Sequence, residues 1–137
     1  MAANTKIATA VQILCVIAYR GNRDTTAEHI AQSLATNPVL VRRVLKRMEH
    51  HHLVAIRQGK AGGVRLARAA ANISLAQIYA AVEGNTSVFA LRPPGNPACP
   101  VDRRMGDLLT PVFGAANAAV DDTLGKTTLA TLVEQIA

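Results

Sequence analysis

Apolar residues recur at three- and four-residue steps between Thr5 and Arg20, at Ile7, Ala10, Val11, Leu14, Cys15 and Ala18, and predict a first amphipathic helix. Gly21-Asn22-Arg23-Asp24 breaks it. A second stripe of Ile30, Ala31 and Leu34 follows Thr25-Thr26-Ala27-Glu28. That tetrapeptide fits a capping box, with Thr25 accepting from the amide of Glu28 and Glu28 reaching back. The second helix is expected to stop near Ala35. A third opens at Asn37-Pro38, since Asn is a good N-cap and Pro suits a first helical position. Two helices joined by so tight a turn form a helix-turn-helix.

The third helix sorts its residues sharply. Val41, Val44, Leu45 and Met48 make the stripe expected to be buried. The opposite face carries Val39, Arg43, Lys46 and His50, flanked by Arg42 and Arg47. Solvated helices mix the signs of their charges and favour acids in the first turn. Arginines there suit phosphates and guanine edges instead. His50-His51-His52 closes the helix. Consecutive side chains on a helix point in different directions, so these do not converge on a metal ion. They fit a helix C-terminus, with His52 expected in the left-handed exit position that glycine usually takes.

Next comes RQGKAGGVRLAR, Arg57 to Arg68, in which glycines lie among basic residues. A phosphate-binding loop needs Gly-x-x-x-x-Gly-Lys-Ser/Thr leading into a helix. Here the glycines lie between Leu53–Ile56 and Val64–Ala67, two short apolar runs that read as strands. The stretch is therefore a β-hairpin, a wing after the third helix, with glycines for tight reversal. Beyond it, Ser74 caps a helix from Leu75 to Glu83 that ends at Gly84. Residues 85–100, with the proline-rich RPPGNPACP, read as an irregular linker. A long helix is expected from Val101 to Leu124, kinked at Pro111. A last helix, Leu129 to Ile136, is capped by Thr127 or Thr128. Along the long helix, Met105, Leu109, Val112 and Phe113 are apolar. A long apolar helix beyond a complete small domain points to a second copy of the chain as partner.

The 137 residues suffice for one core, and the net charge of +6 is concentrated. Between Asn37 and Arg68 there are eight Lys/Arg against one acid, so this segment holds +7 and the remainder sums to −1. Such placement is the footprint of a polyanion-binding surface. Aromatic residues make up only 3%, which argues against a stacking platform for single strands. No apolar run approaches the roughly 18 residues of a membrane span, and the N-terminal segment reads as a helix, not a signal peptide. Two cysteines, Cys15 and Cys99, make no disulfide framework, and a cytoplasmic protein with reduced thiols is expected. No catalytic triad, carboxylate pair or metal-ligand spacing can be assembled, so an enzyme is not expected.

The order of elements, and above all TNPVLVRRVLKRMEHHHLV, GKAGGVRLAR and ISLAQIYAAVEG, resembles the Rrf-two family of bacterial winged-helix regulators, that of IscR, NsrR and CymR. The likeness covers nearly the whole chain. It implies a homodimer that binds palindromic operator DNA through the third helix and the wing. Cluster-binding members of that family place three cysteines after the EG, where this chain has Cys99 alone, so the resemblance is to the cluster-less branch and no cofactor or metal is carried over. Cys99 lies beside Arg103, Arg104 and the start of the long helix, a setting that suits a redox sensor; a linker cysteine with no role is the other reading.

The expectation is a mainly α fold with a small β-wing: a winged helix-turn-helix domain over residues 1–84, a linker over 85–100, and a dimerisation helix with a C-terminal helix over 101–137. The expected function is DNA-binding transcription regulation, as a repressor, by a homodimer on double-stranded DNA. Asn37, Val39, Arg42, Arg43, Lys46, Arg47, Arg57, Lys60 and Arg65 are the expected DNA-binding residues. Met105, Leu109, Val112 and Phe113 are expected at the dimer interface. The signal, a small molecule or a redox change at Cys99, is not named by the sequence. The alternative is a winged-helix protein-interaction module without sequence-specific DNA binding.

Overall fold

The computed structural model describes residues 4–21, 23–84 and 87–136. Asn22, placed by the sequence in the break after the first helix, and Asn85, at the start of the linker, lie outside the described residues. The chain runs α1 (Lys6–Tyr19), α2 (Ala27–Leu34), α3 (Pro38–His50), β1 (Val54–Arg57), β2 (Gly63–Leu66), a 3₁₀ turn at Ala70–Asn72, α4 (Leu75–Glu83), α5 (Pro100–Gly125) and α6 (Leu129–Glu134). It is the mainly helical architecture with a two-stranded wing that the sequence pattern implies.

One core joins these elements. Ala10, Ile13, Leu14 and Ile17 of α1 meet Ile30 and Ala31 of α2, Val41, Leu45 and Met48 of α3, and Ile78, Ala81 and Val82 of α4. Leu53, Val54 and Val64 bring the base of the wing into the same cluster. So does Leu129 of α6, which has no exposed surface. The last helix, grouped with the dimerisation segment in the sequence reading, thus packs on α1 and the 3₁₀ turn. Its entry is fixed by backbone pairing: Leu75 N donates to Thr127 O (3.0 Å) and Leu129 N to Ile73 O (2.8 Å). Thr128 is the N-cap, accepting from the amide of Thr131.

The start of α2 differs from expectation by one residue. Its N-cap is Thr26, whose hydroxyl accepts from the amide of His29, so the box between Thr25 and Glu28 does not form. Thr25 is instead extended and buried, and it exchanges backbone hydrogen bonds with Val64: Thr25 N to Val64 O at 3.2 Å, Val64 N to Thr25 O at 2.6 Å. A β-type pairing that reaches back to the chain before α2 outcompetes a local cap. This third rung anchors the wing to the helix-turn-helix.

The exit of α3 follows a Schellman pattern. His52 takes φ 60°, its amide donates to Glu49 O (2.9 Å), and Leu53 N donates to Met48 O (2.9 Å) while its side chain enters the core. Because Leu53 belongs to this exit, β1 starts one residue later than the apolar run suggests. The register is antiparallel, Val54 opposite Leu66 and Arg57 opposite Gly63. At the tip, Gly59 adopts φ 97°, and Gly62 N donates to Gly59 O at 2.9 Å. A side chain on Gly62 would collide with the carbonyl of Arg57, so this turn requires glycine there.

α4 has its capping box, Ser74 with Gln77, and ends at Gly84 as expected. α5 continues through Pro111 and contributes no fully buried residue. Among the described residues, no helix is long and apolar enough to cross a membrane.

Candidate nucleic-acid interface

The candidate interface comprises the first turns of α3 and the wing. Asn37 caps α3 with its side-chain oxygen, accepting from Val39 N at 2.8 Å, and Pro38 follows at the first helical position. The core stripe Val41, Leu45 and Met48 fixes the rotation of the helix. Val39, Arg43, Lys46 and Arg47 are thereby turned outward and exposed. Arg43, Lys46 and Arg47 form no ion pair among the described residues. On the wing, Arg57, Lys60 and Arg65 are likewise exposed. A groove separates α3 from the wing, lined by Arg42, Lys46, Arg57, Gln58 and Gly59. The structure therefore brings Arg42, Lys46 and Arg57 of the sequence-predicted set to one groove, with Arg43, Arg47, Lys60 and Arg65 exposed on the same two elements.

Two acids to which the sequence pattern gives other places, a cap for Glu28 and a chain break for Asp24, pair with arginines of this surface. Glu28 of α2 pairs with Arg42 of α3 across the helix-turn-helix. Asp24 lies at the foot of the wing, 3.3 Å from Arg65 and 4.0 Å from Arg57. Only their isolation in a basic region could have flagged them. Among the described residues Arg43, Lys46, Arg47 and Lys60 thus form no ion pair, whereas Arg42, Arg57 and Arg65 are partly neutralised.

Along α5, Val101, Met105, Leu108, Val112, Ala115 and Ala119 are all exposed. They succeed one another by four and three residues, the spacing of a coiled-coil seam. Met105 and Val112, predicted at a dimer interface, lie on it. Leu109 and Phe113 are only half-exposed. Phe113 faces Phe89 of the linker, with ring centroids 5.7 Å apart. Asn117 grips the same linker residue, accepting from Phe89 N (3.0 Å) and donating to Phe89 O (3.1 Å).

The two cysteines sit in different settings. Cys15 is half-buried in α1, and burial raises its thiol pKa. Cys99 is the N-cap residue of α5, and its side chain makes no capping hydrogen bond. Close by, the amide of Asn96 and then that of Gly95 donate to Asp102 and hold its carboxyl below the usual carboxylate range. Among the described residues, no group of three His, Cys, Asp or Glu side chains is placed to hold a metal ion.

A helix-turn-helix with an outward basic helix, backed by a basic β-wing, defines a winged-helix DNA-binding regulator. Residues 3–135 match the family model Rrf2, described as an iron-dependent transcriptional regulator, and the chain belongs to that family of DNA-binding transcriptional regulators. It is 32% identical over 126 residues to YwnA of Bacillus subtilis (strain 168), whose name places it among HTH-type transcriptional regulators, and the match covers 92% of each chain. Among solved structures, CymR, the global cysteine regulator of B. subtilis, superposes with a TM-score of 0.75 at 22% identity, covering 100% of this chain and 99% of CymR. IscR of T. potens superposes with a TM-score of 0.72 at 18% identity, covering 100% of this chain and 89% of that one. At those identities the likeness is one of fold. The relatives are regulators, not enzymes.

The Rrf2 family is described as iron-dependent. A cluster held by three linker thiolates does not fit, because the linker supplies Cys99 alone and Cys15 sits in the stripe of α1 that packs on the core.

Proposed function

We propose that two copies of this chain pair along the α5 seam and repress transcription in the cytoplasm by occupying a palindromic operator. The observation that carries this reading is the set of exposed cations Arg43, Lys46 and Arg47 on α3, without an ion pair among the described residues, with Lys46 lining a groove whose far wall is the wing. α3 enters the major groove, and the wing lies along the phosphates. Two half-sites about one helical turn apart require two recognition helices in fixed relation. A seam with knobs at Met105, Leu108 and Val112 supplies that relation by burying apolar surface now open to water.

The test is the salt dependence of duplex binding. About six neutralised phosphates give a slope of log K against log salt near −5. A flat response, or no binding at low salt, overturns the reading and favours a winged-helix module that docks protein.

A further inference from the structure

We propose that Val39 is a specificity residue of α3, packing its side chain on the C5-methyl of a thymine in the major groove, one or two base pairs from a guanine met by Arg43 on the next turn of α3. The proposal rests on the duplex-DNA reading above and adds to it the identity of a base pair.

Three observations lead there. The first is the exposure of Val39. The core residues of α3 are shut away, Val41 and Met48 at 0% and Leu45 at 3%, yet Val39 stands 56% exposed with Leu40 beside it at 37%. An isolated apolar residue on a surface needs no explanation by itself. Its position does. The first turn of a helix favours acids and good helix formers, and valine is neither. The N-terminal turn is also the part of a recognition helix that meets base edges.

The second observation is that its polar neighbours are committed. The side-chain oxygen of Asn37 accepts from the amide of Val39, so Asn37 cannot present oxygen and amide together to an adenine edge. Arg42 is held by Glu28. Val39 and Arg43 are left as the groups free to specify at this end of α3.

The third is chemical matching. A phosphate or a ring nitrogen gains nothing from a valine side chain. The thymine methyl is the one apolar group on the floor of the major groove. Val39 and Arg43 share a helix face, four residues and about 6 Å apart along the axis. With base pairs about 3.4 Å apart, thymine and guanine fall one or two base pairs from each other.

The experiment uses the full chain and operators selected from a random duplex pool. Each thymine of the selected site is replaced in turn by deoxyuridine, which removes only the methyl. One position in each half-site should lose about fourfold in affinity, the value of one buried methyl group. Val39→Ala should lose a similar factor on the unmodified site and be indifferent to deoxyuridine at that position. Circular dichroism of Val39→Ala should match wild type, as the residue is outside the core. A half-site with no deoxyuridine-sensitive thymine overturns the proposal. So does a Val39→Ala protein as sensitive as wild type. Absence of any salt-dependent duplex binding removes the DNA reading itself, a distinguishable result that overturns both.

Discussion

Asp24 holds Arg65 by its guanidinium, Oδ1 to Nε at 3.3 Å, across the junction between α1 and the wing. The same carboxylate stands 4.0 Å from Arg57 on the neighbouring strand. It thus orders two wing arginines and also competes with phosphates for them. Partly exposed pairs of this kind stabilise by roughly 0–1 kcal/mol, so competition should dominate. Asp24→Asn is expected to bind random duplex more tightly at low salt, with a slope steeper by about one to two phosphate equivalents. Its thermal midpoint should barely move. Weaker binding with a shallower slope would show that positioning matters more than charge.

Arg43 and Lys60 should separate specificity from attraction. Arg43→Ala is expected to cost about 1–3 kcal/mol on the selected site and relax discrimination at one base pair. Lys60→Ala should weaken selected and random duplexes equally. Competition binding against both duplexes checks the pair, and equal losses for Arg43→Ala would remove its base-reading role.

Much of this surface was legible from local pattern. Asn37-Pro38, the 3–4 spacing of Val41, Leu45 and Met48, and the glycines between two apolar runs all act within a few residues. They place α3 and the wing to within a residue or so. What stayed hidden depends on partners distant in sequence. Thr25 looks like a cap until Val64 is placed opposite it. Glu28 looks like half of a capping box until Arg42 arrives from the next helix. Leu109 and Phe113 share an apolar stripe with Met105 and Val112, and only the folded linker, with Phe89 set against Phe113, divides that stripe into two faces.

The seam of α5 predicts a specific failure. Leu108→Asp would place a carboxylate with no partner between two helices. Monomers in sedimentation and loss of operator binding are expected, with helical content kept, since Leu108 is 55% exposed in the single chain. A Leu108→Asp protein that remains dimeric would move the interface off this seam.

Leu129 tests the reach of the core. It is fully buried, and Leu129→Ala should cost about 2–5 kcal/mol of unfolding free energy. Urea denaturation followed by circular dichroism should show one earlier transition for the whole winged unit. Fraying confined to the C-terminal helix would contradict a shared core.

The cysteines give a paired expectation. Protein purified without oxygen should show no iron–sulfur absorbance, because the linker offers one thiol. Any loss of operator affinity on peroxide treatment should disappear in Cys99→Ser and persist in Cys15→Ser, since burial raises the pKa of the Cys15 thiol and disfavours its thiolate. A response surviving in Cys99→Ser excludes that thiol.

The return of α6 onto α1 bears on how the protein is made. A ribosome releases α1, the helix-turn-helix and the wing well before it synthesises Leu129, the residue that closes their core. Until that residue emerges, the nascent winged unit has a gap beside α1 and lacks the pairing of Ile73 with Leu129. By then α5 has already been translated. The chain therefore acquires a closed winged unit and the exposed apolar stripe of α5 at nearly the same moment. A half-synthesised copy, tethered to its ribosome, presents its basic helix on an unfinished core.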